Sequence, residues 1–138
     1  MAAAIGIGGA FMKAQDPESL ASWYRSALNI DKEFGSSNVG GFGFSFYPEA
    51  LPDTAYLRFS IEGSDNAHFP GPFMFNFVVE DIHDLLDRVI AHGGEILSSS
   101  FVLDGVGEFA WILDPEGNRV ELWEPARSVN PASNELNH

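Results

Sequence analysis

Glu121 stands between Val120 and Leu122 in the stretch WILDPEGNRVELWEP, Trp111 to Pro125. The stretch reads as strand, turn, strand, which puts this carboxylate in the middle of the second strand. A charge there points either to solvent or into a cavity. Inside a cavity it can ligate a metal ion or act as a general base. A structural role stands beside both, in which Glu121 pairs with Arg58 or Arg119. Histidine is the other residue type that could share such chemistry, and there are four. His83 falls on the polar face of a helix pattern, next to Asp84, and reads as solvated. His92 ends the same helix, where it suits the dipole. His138 lies near the C-terminus. His68, in a turn-rich link, is the one that could fold over a cavity mouth.

Other chemistries drop out on residue type. The chain has no cysteine, so disulfides, thiolate nucleophiles and sulfur-ligated zinc are excluded. GIGGAF is a broken dinucleotide fingerprint, because Phe11 stands where the last glycine belongs and no helix opens there. GGFGF lacks the Lys and Ser or Thr of a P-loop, and no Gly-x-Ser-x-Gly is present. Twenty acidic residues against seven basic ones give a net charge of −13. That balance argues against nucleic acid and against an anionic membrane surface as partners. No apolar run reaches the roughly 20 residues that span a bilayer. The opening MAAAIGIGGAF has no basic region ahead of its apolar run, so the expected compartment is the cytoplasm.

The elements that would position Glu121 come as a repeat. In GGAFMKAQDPESLASWYRSALNI an apolar strand pattern meets Asp16 as N-cap, with Pro17 at the first helical position. Leu20, Trp23, Tyr24, Ala27 and Leu28 follow at helical spacing. In FMFNFVVEDIHDLLDRVIAHGGEI the cap is Asp81. Ile82, Leu85, Leu86, Val89 and Ile90 form the stripe, and Gly93-Gly94 stops it. After each helix come strand-like pieces: GFGFSFYP and TAYLRFSI in the first half, EILSSSFVL, GEFAWIL and NRVELWEP in the second. Each half therefore reads as one strand, one helix and about three strands. The expected fold class is α+β: two βαβββ modules, residues 1–64 and 65–125, with a polar tail over 126–138. Side by side, the modules would form one curved, open eight-stranded half-barrel with the helices outside and a cavity inside.

This arrangement resembles the vicinal oxygen chelate superfamily, which includes glyoxalase I, the bleomycin-resistance proteins and the extradiol dioxygenases. DPEGNRVELWEP, KAQDPESLASWY and VVEDIHDLLDRV with HGGEI carry the resemblance, over about residues 5–125. A Gly-Gly pair in the first strand resembles a branch of uncharacterised glyoxalase-like proteins. In metal-dependent relatives four strand positions hold an ion. The resemblance places these at Gly9, Tyr56, Met74 and Glu121. Glycine offers no side chain and methionine is a soft ligand, so no metal and no other cofactor is expected.

Strand alternation assigns the cavity face. Glu121 and Trp123 share it, with Trp111 opposite Glu121 and Phe109 opposite Trp123. Met74, Asn76 and Val78 lie on it in the second half's first strand, while Phe75, Phe77 and Val79 face the helices. Phe11, Tyr56 and Arg58 complete the expected lining. A carboxylate desolvated by Trp111 and Trp123 suits a general base. Three functions follow: a metal-free protein binding a small aromatic or amphipathic molecule, cations included; a lyase, isomerase or dioxygenase with a displaced metal site or with Glu121 as base; or a scaffold subunit whose cavity is unused. A homodimer through sheet edges or helices is expected in each case.

Overall fold

The computed structural model describes residues 2, 4–5, 7–30, 33–36 and 41–127, with backbone alone for 33–36 and 41. The expected tail, His138 included, lies outside them apart from Ala126 and Arg127. Ala126 donates its amide to Val106 O at 3.1 Å, and its carbonyl accepts from Thr54 Oγ1 at 2.7 Å.

Both aspartate caps form where the sequence puts them. Asp16 accepts from Ser19 N at 3.1 Å, Pro17 sits at the first helical position, and α1 runs Pro17–Ala27. Asp81 accepts from Asp84 N at 3.4 Å and opens α2, Ile82–Ala91. Its φ of 53° is left-handed, a conformation Asp tolerates better than most residues. Glu124 reinforces this cap by accepting Ile82 N at 2.8 Å. Gly93, at φ 82°, ends α2. The helical stripe is narrower than its pattern suggested: Leu86 packs on the core, whereas Ile90 is exposed.

Seven strands form among the described residues: β1 Glu33–Ser36, β2 Gly41–Phe44, β3 Phe75–Val78, β4 Glu95–Ile96, β5 Phe101–Leu103, β6 Gly107–Leu113 and β7 Arg119–Pro125. β1 and β2 are an antiparallel pair of their own. The other five make a mixed sheet in the order β3-β7-β6-β4, with β5 also on β6. β3 runs parallel to β7, and the remaining pairs are antiparallel. The protein is α+β, two helices on a mixed five-stranded sheet.

Among the described residues the strands do not make one continuous eight-stranded sheet. Residues 7–13 and 54–61 alternate like strands but form none. Isolated strands gain nothing without a neighbour to bond, and these have none within the described chain. Ile5, Phe11, Leu57, Phe59 and Ile61 are consequently exposed. β1 is an element the sequence reading missed, since its four residues carry no alternation.

The two faces of the sheet follow the period of two. Ala110 and Ile112 of β6, Val120 and Leu122 of β7 and Phe77 of β3 face the helices, meeting Leu20, Tyr24, Ile82, Leu85 and Val89. Ile82, Ile112, Leu122, Val89 and Val120 are all under 2% exposed. Each such burial stabilises by about 1.5–3 kcal/mol. The odd-numbered residues of β6 and β7 occupy the opposite face, and Glu121 is among them.

The DPEGN turn ties the two halves together. Asp114, buried, accepts from Glu116 N and Asn118 N at 2.9 and 3.0 Å through Oδ1. Its Oδ2 accepts from Asn118 Nδ2 and from Tyr24 OH, both at 2.7 Å. Burial first, then the bond to the Asp114 carboxylate and its charge, push the Tyr24 phenol far above its usual range, so it remains a neutral donor. Glu116 reaches further, accepting Gln15 N at 2.8 Å and Asp16 N at 3.1 Å. The local turn bonds were legible in the sequence; the clasp onto α1 was not.

At Gly107, φ 140°, an added Cβ would overlap the Glu124 carbonyl oxygen and stand 2.7 Å from Trp123 Nε1. The obstacle is backbone of the neighbouring strand, which cannot swing away. Gly107→Ala is expected to cost about 2–4 kcal/mol, read as a lower urea midpoint at unchanged slope.

Candidate functional site

The parallel and antiparallel registers converge on Glu121. β6 places Trp111 directly opposite it on one side, and β3 places Asn76 opposite on the other. Both neighbours turn a polar hydrogen toward the carboxylate. Trp111 Nε1 donates to Oε2 at 2.6 Å and Asn76 Nδ2 to Oε1 at 2.7 Å. Glu121 is 8% exposed. Buried carboxylates need such donors, because desolvating an unpaired charge is costly.

A third group comes from the link before β3. His68 Nε2 lies 3.3 Å from Glu121 Oε2, and its Nδ1 lies 3.2 Å from Glu62 Oε1. Each ring nitrogen thus faces a carboxylate oxygen. The ring also lies 5.5 Å from that of Trp111. Arg119, one turn of the pleat before Glu121, donates to His68 O at 3.0 Å and holds its guanidinium 5.6 Å over the Trp111 ring. Among the described residues neither Arg58 nor Arg119 makes the ion pair with Glu121 that a structural role would use; the His68 ring stands against the carboxylate instead.

Aromatic rings extend the face. Phe101 stacks on Phe109 at 5.5 Å and 14°, and Phe109 on Trp123 at 6.0 Å and 7°. Tyr56 lies 5.0 Å from Trp123, and Arg58 sits 5.3 Å over the Tyr56 ring. Trp123 is pinned by its Nε1 bond to Val106 O at 3.0 Å. Of the expected lining, Asn76, Phe109, Trp111, Glu121, Trp123, Tyr56 and Arg58 thus belong to one connected face. Met74 precedes β3, half-buried, two residues before Asn76. Phe11 does not join: it is 91% exposed, because the segment carrying it pairs with nothing.

Grooves of about 570 and 280 Å³ lie elsewhere, one along α1 past Trp23 and His92, the other beside β5 and the end of β7. Neither is lined by Glu121, Asn76, Trp111 or His68. His83 pairs with Glu108 at 2.9 Å on the helix side, and His92 caps α2. Glu62 is the site residue the sequence reading missed, since nothing in its spacing marks it.

The family model of the Glyoxalase/Bleomycin resistance protein/Dioxygenase superfamily matches residues 7–122. The chain belongs to that superfamily. Among solved structures, the glyoxylase/bleomycin resistance protein/dioxygenase domain from Frankia sp. EAN1pec is 17% identical, with a TM-score of 0.54, over 90% of this chain and 100% of that one. A glyoxalase/bleomycin resistance protein/dioxygenase family enzyme from Burkholderia phytofirmans PsJN is 16% identical, with a TM-score of 0.53, over 82% and 93%. These likenesses show the fold. The putative glyoxylase CFP32 of Mycobacterium bovis is 31% identical over 51 residues, 37% of this chain and 20% of that protein. The match therefore spans a fifth of that relative's length.

The superfamily's metal positions do not fit an ion here. A Cβ built at Gly9 would meet only the Phe11 ring within 4 Å, so that position does not adjoin the carboxylate. Both Glu121 oxygens already accept protein donors. His68 lies between two carboxylates and so holds them apart. Among the described residues no group of three His, Asp or Glu side chains could hold a metal.

Proposed function

We propose that this superfamily member binds a small organic molecule on the aromatic face, without a metal or other cofactor, using Glu121 as its polar anchor. The buried carboxylate set among Trp111, Asn76 and His68 carries this reading. A carboxylate offers about four acceptor sites, and Trp111 and Asn76 take two, which leaves acceptor capacity for a ligand. Apolar rings around a few placed polar groups are the usual composition of such sites.

Metal content and melting temperature test it together. Protein purified without chelator or affinity tag is expected to retain no stoichiometric metal, and Ni²⁺, Zn²⁺, Mn²⁺ and Fe²⁺ should not raise its melting point as specific ligands of the folded state do. One retained equivalent, lost in Glu121→Gln, would refute the reading.

The His68–Glu121 contact favours a second reading, a metal-free lyase or isomerase in which Glu121 takes a proton from a carbon acid. Turnover of a carbonyl substrate that disappears in Glu121→Gln would establish it over simple binding.

We also propose that two βαβββ modules complete the half-barrel in a cytoplasmic homodimer. The exposed apolar side chains of Ile5, Ile7, Phe11 and Met12, and of Leu57, Phe59 and Ile61, support this, because such side chains suit a sheet edge on another copy. Light scattering on the eluting protein reads the mass directly.

A further inference from the structure

We propose that the recognition group of the ligand is a planar nitrogen cation carried on a ring, an amidinium, imidazolium or guanidinium, and that it takes the place this chain fills with its own His68. The inference rests on the ligand-binding reading above. His68 is held as such a ligand would be. Each ring nitrogen meets a carboxylate, at 3.2 Å to Glu62 and 3.3 Å to Glu121, while the ring lies 5.5 Å from Trp111. Two acceptors on opposite edges and an aromatic ring beside them select flat, charged donors. Asn76 and Trp111 fix the Glu121 oxygens from the other directions, so the acceptor geometry persists when the imidazole leaves.

The link that carries His68 is built to let go. Residues 62–72 contain no helix or strand. Two of its bonds are internal turns, Asn66 N to Gly63 O at 2.9 Å and His68 N to Asn66 Oδ1 at 2.7 Å. These can travel with the segment. Arg119 is the anchor to the sheet, through His68 O. Gly71 has open space where a Cβ would be, with nothing nearer than 3.9 Å. The net charge of −13 raises the local concentration of cations. A neutral isostere would leave both carboxylates without charged donors, which is the basis for discrimination.

Benzamidine and its neutral isostere benzamide are the probes, read by tryptophan fluorescence and melting temperature. Benzamidine is expected to bind wild type saturably. It should bind His68→Ala about tenfold more tightly, because the competing side chain is gone. Glu121→Gln should lose about a hundredfold and Glu62→Gln, on the outer side, about tenfold. Benzamide should bind at least tenfold more weakly than benzamidine. If benzamide binds as well as benzamidine, or if His68→Ala and both glutamine variants leave benzamidine affinity unchanged, the cation proposal falls and the aromatic-face reading stands. If neither compound binds wild type or His68→Ala, both fall. His68 is partly exposed on a link, so its truncation leaves the core intact; His68→Gln, expected to behave as His68→Ala does, guards against a folding defect.

Discussion

Asp114→Ala is expected to lower the unfolding free energy by about 3–5 kcal/mol and the melting temperature by on the order of 10 °C. The carboxylate accepts four hydrogen bonds in a buried position. Alanine would strand the Tyr24 hydroxyl in the core and free the turn that carries Glu116, which in turn binds Gln15 and Asp16 just ahead of α1. Tyr24→Phe removes one donor and leaves the turn intact, so about 1 kcal/mol is expected there. Equilibrium urea unfolding of the two variants separates these contributions. Equal losses in both would mean that the turn bonds contribute nothing and the tyrosine contact alone matters.

Glu121→Gln is expected to produce the opposite profile: affinity for a ligand of the aromatic face falls about a hundredfold, while stability falls by only about 1 kcal/mol. Glutamine keeps the volume and one acceptor oxygen. Its amide cannot accept from both Trp111 and Asn76, and it offers His68 no charge. Parallel measurement of binding by tryptophan quenching and of stability by denaturation checks this. A variant that binds like wild type would show that the carboxylate serves the sheet and not a ligand.

The legible parts of this molecule are those settled by near neighbours. Asp16-Pro17 and Asp81 announce helix starts because capping is a property of three or four residues. The Trp111–Glu121 and Phe109–Trp123 pairs follow from a tight turn and a period of two. Asn76 was placed on the correct face by the same alternation, yet its bond to Glu121 depends on a parallel pairing across 45 residues, which no local pattern encodes. His68 was singled out as the one histidine able to reach a cavity mouth, and its ring does lie on Glu121. Glu62 gave no such sign, because a link places it by its path through space. The alternation in 54–61 and before Asp16 reads as strand because it records which side chains want cover. It does not record whose backbone supplies the pairing. The C-terminal tail beyond Arg127 lies outside the described residues.

The clasp between α1 and the Asp114 turn also imposes an order on biosynthesis. Tyr24 and Asp114 stand 90 residues apart, and Gln15 and Glu116 stand 101 apart. A ribosome adding about 5–20 residues each second exposes the apolar stripe of α1 for roughly 5–20 s before the turn that fastens it exists. In that interval Leu20, Trp23 and Tyr24 lack the five-stranded sheet and have only the short β1–β2 pair beside α1. The β6–β7 hairpin, made after α1, must fold before the helix can dock on that sheet. Vectorial synthesis and the direction of assembly therefore run against each other in this chain. The newborn N-terminal half depends on its own completion, or on a chaperone, for shelter.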